Sequence, residues 1–361
     1  MYYIFLLLAI ISLCLMINFI VKKMEPTYKK TLGILLSFAL TLVFLYLFVF
    51  PPYGRIKSDF KDLVETKLIF IKHPTNYRNY ETEEGLREIP LRVWFPKDKK
   101  EDKLPVFIFS HGAFGVDRSN EILFEDLAAK GYVVISMSHP YQSFSTKLSN
   151  GKSLRVNKDF ISQLMKNNSG LTYPQRLESF RKWTGIRLED INFLIDEILD
   201  RNLPENLSEI IDRDRIFLGG HSLGGSVALE IGRKRYDVVR AVVSLEAPFF
   251  GDIASADEKS FSFVKEDYPL PVLHFYSDSL WYRLTDLKGS EYNTNLKLLD
   301  ADPNKYINIH IKGAGHLGLT DLRILSPFIT SLVDGNKNTA DYKDVLEKIN
   351  SETLKFLNLY R

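Results

Sequence analysis

A serine with a glycine two residues before it and another two residues after it lies in the pentapeptide Gly220-His221-Ser222-Leu223-Gly224. A short apolar run at residues 216–218 predicts a buried strand before it, and residues 226–235 predict a helix after it. Glycines at these positions permit the sharp strand-to-helix turn that exposes a serine hydroxyl at the end of a strand. The pattern therefore predicts Ser222 as a nucleophile. The Leu223 N–H, directly after the serine, is predicted to stabilise an oxyanion together with the positive dipole end of the helix that follows.

A serine hydroxyl is a weak nucleophile unless a base removes its proton, so a histidine must lie within reach. The sequence has seven histidines. His316 follows the last predicted strand and comes after the serine, as the usual order of serine, acid and histidine requires. His139 also ends a predicted strand, but it precedes the serine. The others are expected to be structural: His73 before the sheet, His111 in a turn, His221 pointing away from Ser222, and His274 and His310 inside strands. His316 is the predicted base.

Two carboxylates end predicted strands between the serine and this histidine. Glu246 follows the strand directly after the Ser222 helix, and Asp278 follows the next strand. In parallel sheets flanked by helices, the acid more commonly follows the strand that Asp278 follows. Fewer families place the acid at the position of Glu246. The residues alone leave both open, with a slight preference for Asp278.

A second oxyanion donor is expected from the loop after an earlier strand. The segment Ser110-His111-Gly112-Ala113-Phe114-Gly115 follows the buried strand predicted at residues 104–110. Its glycines allow the backbone to turn amide groups inward. The Ala113 N–H is therefore the predicted second donor, beside that of Leu223.

Strand-like and helix-like segments alternate from about residue 91 to the end of the chain, which predicts a mostly parallel sheet flanked by helices. The predicted strands cover residues 91–95, 104–110, 132–137, 216–218, 241–245, 271–275 and 306–311. The predicted helices cover residues 121–130, 188–199, 226–235, 321–333 and 342–359. Residues 139–183 are polar, and their apolar residues do not recur with a strong helical or strand-like period. This segment therefore predicts an excursion or lid over the site.

The composition limits the possible functions. The 47 basic and 45 acidic residues leave a net charge of +2, so no nucleic-acid partner is expected. The single cysteine, Cys14, excludes an intrachain disulfide and a cysteine metal cluster. No metal or organic cofactor is implied by the predicted chemistry, and no oligomeric state is assigned.

The first fifty residues contain two uncharged apolar runs, at about residues 2–21 and 31–50. Each is long enough to cross a hydrocarbon core of about 30 Å as a helix. The segment 22–30 between them carries four lysines, and such enrichment marks the cytoplasmic side of a membrane. We therefore expect a transmembrane hairpin at residues 1–54, a catalytic domain at residues 55–361 and an extracytoplasmic position for that domain. A cleaved signal peptide is the competing interpretation of the first run.

Four stretches resemble a known family: L-P-V-F-I-F-S-H-G-A-F-G with D-L-A-A-K-G-Y-V-V-I-S-M-S-H-P-Y, I-D-R-D-R-I-F-L-G-G-H-S-L-G-G, V-V-R-A-V-V-S-L-E-A-P-F-F-G, and G-A-G-H-L-G-L-T-D. They resemble the α/β-hydrolase fold and, within it, the platelet-activating-factor acetylhydrolase-like family with its membrane-attached bacterial members. That family typically places Asp at the end of the strand after the nucleophile, where this chain has Glu246. The resemblance therefore favours Glu246 over Asp278 as the acid.

These observations predict a membrane-anchored serine ester hydrolase with a triad of Ser222, His316 and Glu246. The resemblance implies short acyl groups on phospholipids or related esters as substrates, with the bilayer as a partner. Two alternatives stay open at this point. One is a serine peptidase, because the same triad cleaves amides. The other is an inactive, membrane-tethered binding protein on the same scaffold.

Overall fold

The computed structural model describes residues 2–23, 25, 27–52, 58, 60–98, 101–167 and 170–361. The strands are β1 (Val64–Pro74), β2 (Leu86–Pro96), β3 (Leu104–Ser110), β4 (Val133–Met137), β5 (Ser145–Lys147), β6 (Ser153–Arg155), β7 (Ile211–His221), β8 (Val239–Leu245), β9 (Ile253–Ala256), β10 (Phe261–Phe263), β11 (Val272–Ser277) and β12 (Tyr306–Ile311). The helices are α1 (Tyr3–Val21), α2 (Thr27–Val49), α3 (Glu121–Ala129), α4 (Lys158–Asn167), α5 (Tyr173–Leu199), α6 (Glu205–Ser208), α7 (Leu223–Lys234), α8 (Asn293–Leu299), α9 (Leu322–Leu325), α10 (Pro327–Asp334) and α11 (Tyr342–Leu359).

Eight strands form the main sheet, in the order β1-β2-β4-β3-β7-β8-β11-β12. The six strands from β4 to β12 pair in parallel, whereas β2 pairs antiparallel with both β1 and β4. The predicted mostly parallel sheet is therefore confirmed. Because the parallel strands share one direction, the loops after β3, β7, β8, β11 and β12 all leave the same edge of the sheet.

Helices cover both faces of the sheet, because its central strands are apolar on both sides. One face packs against α5 and α7, with Ile191, Leu194 and Val227 in its core. The other face packs against α3 and α11, whose Phe124 and Phe356 contribute to a second core. These two layers hold the strand ends at fixed positions.

Several elements differ from the predictions. The first strand, β1, was not predicted, and His73 lies within it rather than before the sheet. Residues 139–183 lie outside the main sheet, as expected, but they contain the β5–β6 hairpin, α4 and the first part of α5. The predicted helix at 188–199 begins earlier, at Tyr173, after a capping box formed by Thr172 and Gln175. The predicted helix at 321–333 is split into α9 and α10 because Pro327 cannot continue a helix.

The N-terminal helices α1 and α2 pack against each other as an antiparallel pair. The ring centroids of Tyr2 and Phe48 are 5.5 Å apart at one end, and Gly33 lies against the Phe19 ring towards the other. Within the described residues, both helices are long and apolar enough to cross a membrane, and little of either is buried. The boundary expected at residues 54 and 55 lies outside the described residues.

Candidate active site

The candidate nucleophile lies on a strained turn between β7 and α7. Ser222 has φ 52° and ψ −123°, a conformation that is unfavourable for a residue with a side chain. A side chain on Gly220 would overlap the Gly224 backbone, and one on Gly224 would overlap the Ser110 carbonyl. The two glycines are thus required by close approach of the backbone. Ser222 is only partly buried and follows the last residue of β7.

Glu246 and His316 meet beside this turn. His316 Nδ1 donates to Glu246 Oε1 at 2.7 Å. The other carboxylate oxygen, Oε2, accepts the Ser277 N–H at 2.5 Å. The Glu246 side chain is 3% exposed and that of His316 is 29% exposed, so the carboxylate is shielded from solvent while the imidazole is partly exposed. This contact fixes the imidazole tautomer that leaves Nε2 free to accept a proton.

The charge of Glu246 also changes the protonation of the histidine. Burial lowers the pKa of His316, but the hydrogen bond and charge of Glu246, together with the charge of Asp334, outweigh it and raise that pKa above its usual value. No hydrogen bond joins Ser222 to His316 among the contacts of the described residues. Such bonds are often long in free enzymes and shorten with substrate.

Asp278, the alternative acid, holds a different histidine. Its Oδ1 accepts from His310 Nε2 at 2.7 Å, and its Oδ2 accepts the Gly313 N–H at 2.9 Å. The His310 ring stacks on Trp281 with centroids 4.9 Å apart and an interplanar angle of 8°. His310 was expected to be a core histidine, but it is a half-buried partner of Asp278. Asp278 anchors the turn before His316.

The predicted oxyanion donors, the N–H groups of Leu223 and Ala113, belong to two segments that adjoin Ser222. Leu223 is the first residue of α7, where N–H groups have no intrahelical acceptor. Ala113 lies in the loop after β3, and its N–H makes no hydrogen bond among the described residues. The preceding Gly112 lies against the turn, since a β-carbon there would be 3.4 Å from Ser222 Cβ and 2.7 Å from His221 Nδ1. Both amide groups are thus free to bind a ligand oxygen near Ser222.

The excursion at 139–183 contributes an apolar cluster beside these donors. Phe160 of α4 and Trp183 of α5 pack in one cluster with Leu223, and Ala113 packs against it. Phe114 is 38% exposed, and its ring centroid lies 5.7 Å from that of Phe160. An acyl group bound with its carbonyl at the two donors would therefore meet aromatic side chains.

The loop that carries His316 is anchored from α10. The carboxylate of Asp334 accepts the Leu317 N–H at 3.0 Å and the Gly318 N–H at 3.1 Å. On the other side of the loop, His221 Nε2 contacts the His316 carbonyl at 3.1 Å. The loop is therefore held through its backbone N–H and C=O groups. None of these contacts uses the imidazole nitrogens of His316.

The loop after β3, which carries the predicted donor Ala113, is called the oxyanion loop below. Beneath it lies a buried polar network that was not predicted from the sequence. Asp190 accepts two hydrogen bonds from Arg87 and one from His139 Nδ1, while His139 Nε2 contacts Ser110 Oγ at 2.9 Å. Arg187, one helical turn before Asp190, is also fully buried. A signal existed in the sequence, because both charges fall on the apolar stripe of α5 with Ile191 and Leu194.

Two comparisons of the sequence with known proteins point to one family. A family model described as "Platelet-activating factor acetylhydrolase, isoform II" matches residues 90–361. The platelet-activating factor acetylhydrolase of Bos taurus is 25% identical in an alignment of 150 residues that covers 38% of this chain and 34% of that protein. The match thus spans about a third of that relative's length.

Among solved structures, a ferulic acid esterase from Streptomyces cinnamoneus superposes with a TM-score of 0.60. It is 17% identical, and the alignment covers 84% of this chain and 92% of the esterase. At this identity the likeness shows the fold alone. The predicted α/β-hydrolase fold is confirmed.

Proposed function

Because the chain belongs to the platelet-activating factor acetylhydrolase, isoform II family, we propose that it is a serine ester hydrolase with Ser222, His316 and Glu246 as its triad. The observation that carries this proposal is the 2.7 Å contact of His316 Nδ1 with Glu246 beside the strained serine turn. Asp278 does not compete for this histidine, since both of its oxygens bind His310 and Gly313.

The proposed reaction proceeds in two steps. Ser222 Oγ attacks the ester carbonyl carbon while His316 Nε2 takes the hydroxyl proton. The N–H groups of Ala113 and Leu223 stabilise the resulting oxyanion, and Glu246 stabilises the imidazolium. The tetrahedral intermediate then expels the alcohol, which receives the proton from His316. A water molecule hydrolyses the acyl-enzyme by the same sequence and releases the acid.

We further propose that residues 1–54 anchor this enzyme in a membrane. Most large apolar side chains of α1 and α2 are exposed, including Ile10, Leu35 and Leu42. A surface of this kind is unfavourable in water and favourable in lipid. An enzyme held at a bilayer meets lipid esters at high local concentration. Together with the family, this supports short acyl groups on phospholipids or related lipids as the substrate class.

The test is labelling with a fluorophosphonate, combined with turnover of an ester series of increasing acyl length. The wild-type protein should be labelled and should prefer short acyl esters. Ser222→Ala should lose the label and lose on the order of 10⁴-fold or more in kcat, because the attacking oxygen is gone. Ser351→Ala, on the exposed side of α11, is the matched control and should behave as the wild type.

Other outcomes separate the alternatives. Labelling that persists in Ser222→Ala would move the nucleophile elsewhere. Turnover of peptide amides without turnover of esters would favour a peptidase. A wild-type protein that binds lipid but is neither labelled nor active would be an inactive scaffold.

A further inference from the structure

Arg187 is fully buried behind the oxyanion loop. Among the described residues, its guanidinium binds only neutral acceptors. Its Nε donates to Gln142 Oε1 at 2.6 Å, and Nη1 donates to Ser110 Oγ at 3.3 Å. Nη1 also donates to the His111 carbonyl, and Nη2 to the Gly112 carbonyl at 3.4 Å. No carboxylate forms an ion pair with Arg187 among the described residues. A buried cation without a direct counter-ion is costly, so this arrangement calls for an explanation beyond stability.

The Gly112 carbonyl determines where the next amide points. It accepts from Arg187 and also from His111 Nδ1 at 2.7 Å. In a trans peptide the C=O and the following N–H point in opposite directions. A Gly112 carbonyl turned towards Arg187 therefore turns the Ala113 N–H away from it. Gly112 itself lies against Ser222, so Arg187 and the nucleophile lie close to the same peptide.

The charge of Arg187 acts on the same peptides. Burial lowers the pKa of Arg187 to about 9 although the charge of Asp190 raises it, so the guanidinium remains positive at neutral pH. A cation that binds a peptide carbonyl polarises that peptide and strengthens its N–H as a donor. The positive charge also favours an oxyanion that forms nearby in a site of low dielectric.

The surrounding network holds the guanidinium in place. Gln142, which accepts from Arg187 Nε, also accepts the Phe114 N–H at its carbonyl, 3.2 Å away. Ser110 Oγ is held by His139, whose Nδ1 donates to Asp190 at 2.8 Å. Burial, the largest effect, and the charge of Arg187 lower the pKa of His139 to about 4, so that ring is neutral at physiological pH. Each acceptor of Arg187 is thus fixed by the oxyanion loop or by the network beneath it.

We propose that Arg187 is a positioning residue of the oxyanion hole, which orients the Gly112–Ala113 peptide and supplies the buried positive charge behind it. This inference rests on the proposed ester hydrolysis. It predicts that Arg187 stabilises the transition state rather than the bound substrate. Loss of the side chain should therefore lower kcat and leave KM nearly unchanged.

The test compares Arg187→Met, Arg187→Lys and the control Arg181→Met in the full-length, detergent-solubilised protein. Arg181 is an exposed residue of the same helix. Arg187→Met should lower kcat by about 10²-fold or more, comparable to loss of one oxyanion donor. Its affinity for a trifluoromethyl ketone, which forms a tetrahedral adduct with the serine, should fall by a similar factor. Arg187→Lys keeps the charge without the planar fork and should recover part of both quantities.

The outcomes are distinguishable. If the wild-type protein neither turns over esters nor reacts with the ketone, the proposed function fails and the inference fails with it. If the wild type is active and folded Arg187→Met keeps its kcat, or changes only KM, the inference alone fails. Thermal unfolding is measured in parallel, since removal of a buried arginine lowers stability. Should Arg187→Met not fold, Arg187→Lys decides, because an unchanged kcat and ketone affinity in that variant would equally overturn the positioning role.

Discussion

Glu246 and Asp278 differ in the histidine that each holds, although both follow parallel strands at the same sheet edge. Glu246 has φ 49°, and its backbone N–H donates to the Phe275 carbonyl at 2.9 Å. From this position its longer side chain reaches both His316 and the Ser277 N–H. Glu246 thus occupies the position at which the platelet-activating-factor acetylhydrolase-like family typically has an aspartate.

Replacement of each acid by its amide should therefore have unequal effects. Glu246→Gln keeps the shape but removes the charge and favours the wrong imidazole tautomer, so kcat should fall by roughly 10³ to 10⁴-fold with little change in stability. Asp278→Asn should lower kcat by about tenfold or less, because its partner is His310 and not the proposed base His316. Steady-state kinetics on one ester would measure both. A severe loss in Asp278→Asn with a mild one in Glu246→Gln would reverse the assignment.

Glu246→Gln should also change the pH profile of kcat/KM. Glu246 raises the pKa of His316 against the effect of burial, and a general base acts only when neutral. Loss of the carboxylate lowers that pKa, so the histidine becomes neutral at lower pH. The acidic limb of kcat/KM should accordingly move to lower pH in Glu246→Gln. A limb that stays in place would contradict the coupling between the two residues.

Single residues of the site were predictable to different degrees. Ser222 and His316 were predicted because their local sequences encode a turn and a strand-end loop. The choice between Glu246 and Asp278 required the resemblance, since both occupy strand ends. Arg187 was missed because its proposed role depends on acceptors that the fold brings to α5 from β3 and the loop after it.

Elements with a clear period were predicted most accurately. The bounds of β12 and α11 agree with the predictions. Strand β12 is a short, largely apolar run with clear ends, and α11 is an amphipathic helix that begins after an Asp N-cap. The edge strand β1 was missed because most of its residues are exposed or half-buried and many are charged. Helix α5 was predicted too short because its first turns are polar and cover the site rather than the main core.

Helix α10 connects the loop that carries His316 to the rest of the molecule. Its last residue, Asp334, accepts backbone N–H groups directly after His316, and Asn338 joins it by accepting the Gly315 N–H at 2.8 Å. Hydrogen bonds to a charged acceptor are stronger than neutral ones, so this carboxylate fixes the loop. The position of the imidazole therefore depends on α10 as well as on Glu246.

Asp334→Asn should loosen the loop that carries the base. The amide has one acceptor oxygen and no charge, so kcat should fall by about tenfold, as expected for a misplaced catalytic group. Because Asp334 also raises the pKa of His316, the acidic limb of kcat/KM should move to lower pH. Asp344→Asn, on the exposed face of α11, is the control. Wild-type kinetics and pH profile in Asp334→Asn would show that the loop is held without this contact.

At the scale of the whole molecule, helix α10 lies between the apolar hairpin and the loop that carries His316. Ser326 Oγ donates to the Val49 carbonyl at 2.6 Å, and the rings of Phe48 and Phe328 lie 4.7 Å apart. The end of α2 therefore contacts the start of α10, whose other end holds the His316 loop. If α1 and α2 span a bilayer, the proposed active site lies on the side of the membrane to which residues 2 and 48 belong.

The lysine-rich segment at the other end of the hairpin predicts which side this is. Lys22, Lys23, Lys29 and Lys30 lie at or near the turn between α1 and α2, and such a segment stays in the cytoplasm. The catalytic domain should therefore be outside, together with the N-terminus. Protease added to intact spheroplasts should digest the domain, while a cytoplasmic marker protein stays protected. A tag on the N-terminus should remain in the membrane fraction, because we propose that the first helix is an anchor rather than a cleaved signal. Digestion only after lysis would place the domain inside, and loss of the tag from the mature protein would show that the first helix is removed.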